Sequence, residues 1–112
     1  NNNFKLYQSL IKNDYWKIKE FDNVFLSNFA YPYIASKERF SKIIDTLDKN
    51  KIETRSLICG SIAEQPFWKK LGIKANVPFA SIVHHQGLYL PNNAQIQEDE
   101  IKLICDIVNR VK

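Results

Sequence analysis

Apolar positions recur along this chain with two periods, one helical and one of strict alternation. Residues 3–12 (NFKLYQSLIK) place Phe4, Tyr7, Leu10 and Ile11 at helical spacing, which predicts the end of a helix begun upstream. Residues 13–24 are mixed, with Tyr15, Trp16 and Phe21 as anchors, and read as a loop with a short extended piece. Residues 25–35 (FLSNFAYPYIA) are rich in aromatics and predict a strand. Pro32 has no amide hydrogen, so that strand belongs at a sheet edge or carries a bulge. Ser36 is placed to cap the clearest amphipathic helix, in which Phe40, Ile43, Ile44 and Leu47 recur at i, i+3, i+4 and i+7. Glu38 suits its first turn, and Asn50 is the expected left-handed residue at its end.

Residues 52–58 (IETRSLI) alternate as a second strand, with Glu53, Arg55 and Leu57 on one face. Gly60 and Ser61 turn the chain. Pro66 opens a short helix carrying Phe67, Trp68 and Leu71 and closed by Gly72; Pro78 opens another, with Phe79, Ile82 and Val83 expected inward and Gly87 as its stop. Leu88, Tyr89 and Leu90 predict a short strand ended by Pro91-Asn92-Asn93. The last helix starts near Glu98, with Ile101, Ile104, Cys105 and Val108 as its stripe, acidic residues at its start and Arg110 and Lys112 at its end. This order predicts an α+β fold: a two-layer sandwich with a small, mostly antiparallel sheet and helices on one side.

Composition narrows the function. The chain has 112 residues, 45% hydrophobic and 25% charged, which suits one ordered domain with a modest core. No apolar run is long enough to span a bilayer, and Asn1-Asn2-Asn3 does not open a signal peptide. There is no methionine anywhere, start included, which leads us to expect a piece of a longer protein. The formal net charge is +4, but the basic residues are spread from Lys5 to Lys112 with acids between them, a mildly basic surface rather than a nucleic-acid footprint. Cys59 and Cys105 share no CxxC-type spacing and are expected as reduced thiols, Cys105 in the core.

The usual chemistries find little support. His84 and His85 are adjacent, so on a helix they are expected to point apart, and no His or Cys pair has zinc-ligand spacing; no metal site is expected. There is no G-x-S-x-G elbow, Cys59 has no nameable base, and Gly60-Ser61 is too short for a phosphate loop. Arg55 stands out: a strand arginine before a glycine turn can fork onto a carboxylate or phosphate. Its plainer reading is a surface ion pair with Glu53 or Glu64. Residues 64–68 (EQPFW) can line the same place, although Phe67 and Trp68 read first as core. No catalytic set emerges, which points to a subdomain.

Two runs carry a family resemblance. Ile52-Glu53-Thr54-Arg55, followed by Leu57-Ile58-Cys59-Gly60-Ser61-Ile62 and Gln65-Pro66, resembles the C-terminal region of the DegT/DnrJ/StrS family. Those are fold-type-I pyridoxal-phosphate (PLP) enzymes acting on nucleotide-linked keto sugars. Gly87-Leu88-Tyr89-Leu90-Pro91-Asn92, then Asp99-Glu100-Ile101, resembles the way the family ends. The stretch from Leu57 to Pro66 looks most like the 3-dehydrase branch, although Ser61 stands where asparagine is expected and Glu64 where that branch often has a basic or small residue.

The resemblance implies the C-terminal small domain of a nucleotide-sugar aminotransferase or dehydrase, with residues 1–24 as the end of an interdomain helix and linker and 25–112 as the domain itself. It implies PLP in the full-length parent and none on this chain alone, since the anchoring lysine or histidine lies in the large domain. Such a domain closes over the active site. By position, Arg55, Gly60, Ser61 and Gln65 are implied as substrate-side residues, and no residue of this chain as catalytic. The parent is implied to be cytoplasmic, a homodimer acting on a nucleotide sugar, with no nucleic-acid or membrane partner. The competing expectation is a freestanding small α+β binding or regulatory module. If instead an outer surface was left behind by separation from the large domain, Trp16, Tyr31, Tyr33, Phe67 and Trp68 are the expected exposed apolar residues.

Overall fold

The structure, a computed structural model, describes residues 2–12, 17, 19, 21–57 and 60–112. The readings that involve Tyr15, Trp16, Ile58 and Cys59 lie outside the described residues. In chain order the elements are α1 (Asn2–Leu10), β1 (Ala30–Ile34), α2 (Lys37–Lys49), β2 (Arg55–Ser56), a 3-10 turn (Ile62–Glu64), α3 (Pro66–Lys70), α4 (Pro78–Gln86), β3 (Gly87–Pro91) and α5 (Glu98–Arg110). The three strands form one antiparallel sheet in the order β1-β3-β2.

Alternation along the strands separates two faces. Tyr31 and Tyr33 of β1 and Leu88 and Leu90 of β3 point into one buried cluster. The helices complete it with Phe4 and Tyr7 (α1), Ile43 and Leu47 (α2), and Ile101, Ile104, Cys105 and Val108 (α5), joined by Ile11. The helical layer therefore lies on one side of the sheet, as expected for the two-layer fold. Tyr31 and Tyr33 are core residues, not surface left exposed, because their strand positions face the helices. Tyr31 stacks on Tyr7 with ring centroids 4.7 Å apart.

The strand at 25–35 is shorter than expected, and so is the one at 52–58. A strand needs a partner, and β3 offers only Gly87–Pro91, so pairing begins at Ala30 opposite Pro91 and extends on β2 only to Arg55 and Ser56. Phe25 and Phe29 are consequently exposed. Pro32 is on an edge strand, as its missing amide requires. Ala35 N–H donates to Gln86 O just beyond the ladder, so the odd positions of β1 turn their amides toward β3 and Pro32 faces outward.

Helix α2 starts where expected. Ser36 sits at its N-cap with extended backbone, its carbonyl accepting from the Arg39 and Phe40 amides and its side chain making no cap bond. At the other end the left-handed residue is Lys51 (φ 59°), not Asn50 (φ −91°). Ile52 N–H bonds Leu47 O and Lys51 N–H bonds Asp48 O, the paired pattern of a Schellman cap. Ile52 packs on the core, and that apolar contact sets which residue turns. Arg39 ties α2 to the end of α5, donating to Val108 O and Val111 O, both at 2.8 Å, and to the Tyr33 hydroxyl. Asn109 ties α5 to α1, accepting from Lys12 N–H and donating to Leu10 O. Glu100 accepts from Gln97 N–H to start α5. Among the described residues no helix is long and apolar enough to cross a membrane.

Phe79, expected inward, is 81% exposed, and Phe67, read first as core but also among the candidates for an exposed apolar surface, is 58% exposed. Helix α3 has only five residues and no buried side chain, and α4 lays only half-buried residues on the rest. Leu71, Ile73 and Val77 between them are exposed as well.

Candidate functional site

The outer face of the sheet carries the first part of the site. Pro32, Tyr89 and Arg55 stand directly opposite one another across the three strands and so share that face. At one end the face is covered. Leu57 packs so closely on Gly87 that a Cβ there would overlap its Cδ1. At the other end it is open, forming a shallow groove of about 230 Å³ lined by Phe29, Glu53, Thr54, Arg55, Tyr89 and Asn92, among others. The Phe29 and Tyr89 rings meet at 5.2 Å in a tilted pair. The Asn92 side chain donates to Asn28 O and fixes the chain at the rim.

Arg55 is 79% exposed in this groove and forms an ion pair with Glu53, Nε and Nη2 both donating to Oε1 at 3.1 and 2.9 Å. The surface ion pair foreseen as its plain reading is present, with Glu53 rather than Glu64. So exposed a pair contributes little stability. The exposed guanidinium is accessible to an anion, which can replace the carboxylate.

Gly60, Ser61 and Gln65 line a different feature, the turn that follows β2. Gly60 has φ +47°, and a Cβ on it would overlap His84 Nδ1, so glycine is required on both counts. Ser61 N–H donates to His84 Nδ1 at 3.1 Å. The Ser61 hydroxyl is buried, with no hydrogen-bond partner among the described residues. Gln65 closes the 3-10 turn and caps α3, its carbonyl accepting from Lys69 N–H. The EQPFW run thus belongs to this turn and not to the Arg55 groove.

His84 and His85 do not point apart. Both rings reach Glu64, with Nε2–Oε2 distances of 3.4 and 2.9 Å, and meet edge to face. They sit in the last turn of α4, where the chain leaves the helix for β3, and Glu64 enters between them from the 3-10 turn. Ser81 also donates to Glu64. The hydrogen bond from His85 is the main cause holding the Glu64 carboxyl below its ordinary value, against the opposing effect of desolvation. Nothing in the sequence announced this trio, because Glu64 and the histidines are twenty residues apart and no ligand-type spacing links them. Its ligand atoms lie within 4.8 Å of one another. Besides the carboxylate and the edge-to-face ring pair, the His84 ring contacts the Ser61 amide.

A PLP-anchoring lysine has to be desolvated to act as an amine nucleophile near neutral pH. Every lysine of this chain is solvent-exposed, so none has the desolvated setting of such an anchor.

Comparison with solved structures places the fold in a definite class. The chain superposes on a protein of Bacillus cereus ATCC 10987 described as a PLP-dependent aminotransferase with a TM-score of 0.73, at 17% identity, over 97% of this chain and 30% of that one. It superposes on a GDP-4-keto-6-deoxymannose-3-dehydratase, solved with a trapped PLP–glutamate geminal diamine, with a TM-score of 0.76, at 18% identity, over 96% of this chain and 29% of that one. The fold is thus that of a part of PLP-dependent enzymes, and the chain spans less than a third of their length. A comparison with curated proteins found no match. The sequence profile of the DegT/DnrJ/EryC1/StrS aminotransferase family matches residues 2–109, and the chain belongs to that family.

Proposed function

We propose that this chain is the C-terminal small domain of a PLP-dependent nucleotide-sugar aminotransferase or 3-dehydratase, that it closes over an active site carried by the rest of the parent, and that it contributes substrate contacts. The observation that carries this reading is the shape of the match: nearly all of this chain aligns with under a third of each PLP enzyme. The exposed apolar run Phe67, Leu71, Ile73, Val77 and Phe79 supports it, since a monomeric domain this small rarely leaves so many large apolar side chains in water without a covering surface. The parent holds the cofactor on its other domain and takes a nucleotide-linked keto sugar. In this reading it is a cytoplasmic homodimer, without nucleic-acid or membrane partners.

Arg55 is the residue assigned to an anionic group of the substrate, a diphosphate or an amino-acid carboxylate. Gly60, Ser61 and Gln65, in the separate turn that follows β2, are assigned as a substrate-side loop. The experiment is kinetic and uses the full-length parent with PLP and nucleotide-linked keto sugars, with glutamate as the amine source. Replacement of one charged hydrogen-bonding partner removes about 1.5–3 kcal/mol, so Arg55→Ala raises KM roughly 10- to 100-fold, with Arg55→Lys in between. A parent that neither binds PLP nor turns over any nucleotide-linked keto sugar refutes the enzyme reading. An Arg55→Ala variant with unchanged KM removes Arg55 from the site.

A further inference from the structure

We infer that His84 is a positioning residue that sets the place of the Gly60–Ser61 turn through the bare Nδ1 of a neutral imidazole; this rests on the reading of that turn as substrate-side. The protonation pattern follows from the donors. The Ser61 backbone N–H can only donate, and it points at His84 Nδ1 from 3.1 Å, so Nδ1 carries the lone pair. The hydrogen of a neutral ring is then on Nε2, which faces Glu64 Oε2 at 3.4 Å. The Nδ1 side is hydrogen-bonded, whereas the Nε2 side stands in close contact with Glu64 Oε2, which makes no hydrogen bond among the described residues.

The ring is wedged as well as bonded. It lies against the bare backbone of Gly60, in the space that any Cβ would occupy. Glu64, on its far side, is held in turn by Ser81 Oγ at 3.3 Å and by His85 Nε2. Ser61 O accepts from Glu64 N–H at 3.1 Å, which closes the 3-10 turn leading to Gln65. One imidazole on α4 thus holds the turn at Gly60 and Ser61, and the 3-10 turn that follows closes on the Ser61 carbonyl. The same pattern argues against reading Glu64, His84 and His85 as a cation site. A metal on His84 Nε2 needs that nitrogen bare and the hydrogen moved to Nδ1, where the Ser61 amide already directs its own.

Amide side chains separate positioning from bulk. Asparagine places its Oδ1 near the position of Nδ1, whereas glutamine reaches toward the position of Nε2. In the full-length parent, His84→Gln and His84→Ala are expected to raise KM for the nucleotide sugar about tenfold, the loss of one neutral hydrogen bond, with kcat changed less than about twofold. His84→Asn is expected to recover KM to within about threefold of the parent. Histidine-selective nitrogen-15 spectra of the unmodified protein are expected to show the His84 ring protonated on Nε2 alone. A ring protonated on Nδ1, or Asn and Gln variants that behave alike, overturns the inference. If the His84 series leaves KM flat while Arg55→Ala still raises it, the inference falls and the functional reading stands. If neither residue moves KM, both fall.

Discussion

Tyr7→Phe isolates one buried hydrogen bond of the core. The Tyr7 side chain is fully buried, and its hydroxyl donates to Pro91 O at 2.6 Å. Pro91 stands opposite Ala30, in the register class whose groups turn away from β1, and β2 ends at Arg55 before reaching it. The hydroxyl supplies the donor that the short β2 does not. Phenylalanine keeps the ring stacked on Tyr31 and leaves no cavity, so the change removes only the donor and strands a half-buried carbonyl. Such a group costs about 1–2 kcal/mol. For a domain near this size, 1 kcal/mol moves the midpoint by about 4–8 °C, so Tm is expected to fall by roughly 5–12 °C. Thermal unfolding followed by circular dichroism measures it, with urea titration to check that the m-value is unchanged. Tyr7→Ala, which also loses the stack and the packing, is expected to cost about 3–5 kcal/mol. A Tyr7→Phe protein as stable as the parent refutes the argument, because it means that water satisfies Pro91 O.

Lys51→Gly is expected to stabilise by up to about 1 kcal/mol, since it relieves a left-handed lysine at about 1–2 kcal/mol and adds back about 0.5–1 kcal/mol of chain entropy; Lys51→Val is expected to destabilise, and urea midpoints of the two read the sign. Burial pushes the Cys105 thiol up to about 12 from an ordinary 9.0. The folded state then keeps a proton that the unfolded state releases, so this contribution is complete below about pH 9 and is lost as pH rises toward 12, at about 1.4 kcal/mol per pH unit. Urea unfolding at about pH 8 to 10 is expected to show that decline, and Cys105→Ala to flatten it. Tyr7, whose hydroxyl is also raised by burial, adds its own decline at higher pH. Amides of residues 66–79 are expected to exchange with solvent rapidly in this chain alone and to gain protection in the full-length parent; equal rates in both argue against a covering surface there.

Much of the fold was legible because its longest elements announce themselves. The stripes of α2 and α5 each run through three turns, long enough for the helical period to stand clear of noise, and the acidic start of α5 agrees with its dipole. Pro32 limited its strand to a sheet edge or a bulge, and the strand lies at the edge. What failed was set by partners far away in sequence. The strands at 25–35 and 52–58 alternate beyond the point where β3 can pair them, so they were read as too long. Asparagine's preference for left-handed backbone pointed to Asn50, but Ile52 reaching the core moved the turn one residue on.

The site shows the same division more sharply. Alternation puts Glu53 on the face of Arg55 but leaves Glu64 as an equal candidate partner, and the structure shows the pair with Glu53. Periodicity also found apolar faces on α3 and α4, but it cannot say whether such a face meets its own core or another surface, and Phe67 and Phe79 turn outward. The Glu64–His84–His85 trio lay beyond reach for a different reason. Two adjacent histidines on a regular helix are expected to diverge, and here both rings reach one carboxylate that arrives from the 3-10 turn. The structure gives Gly60, five residues after Arg55, a positive φ, and what approaches its bare backbone is the His84 ring. Reading such a glycine as a contact site, rather than only as a turn, links the loop that the family resemblance singled out to the helix that holds it.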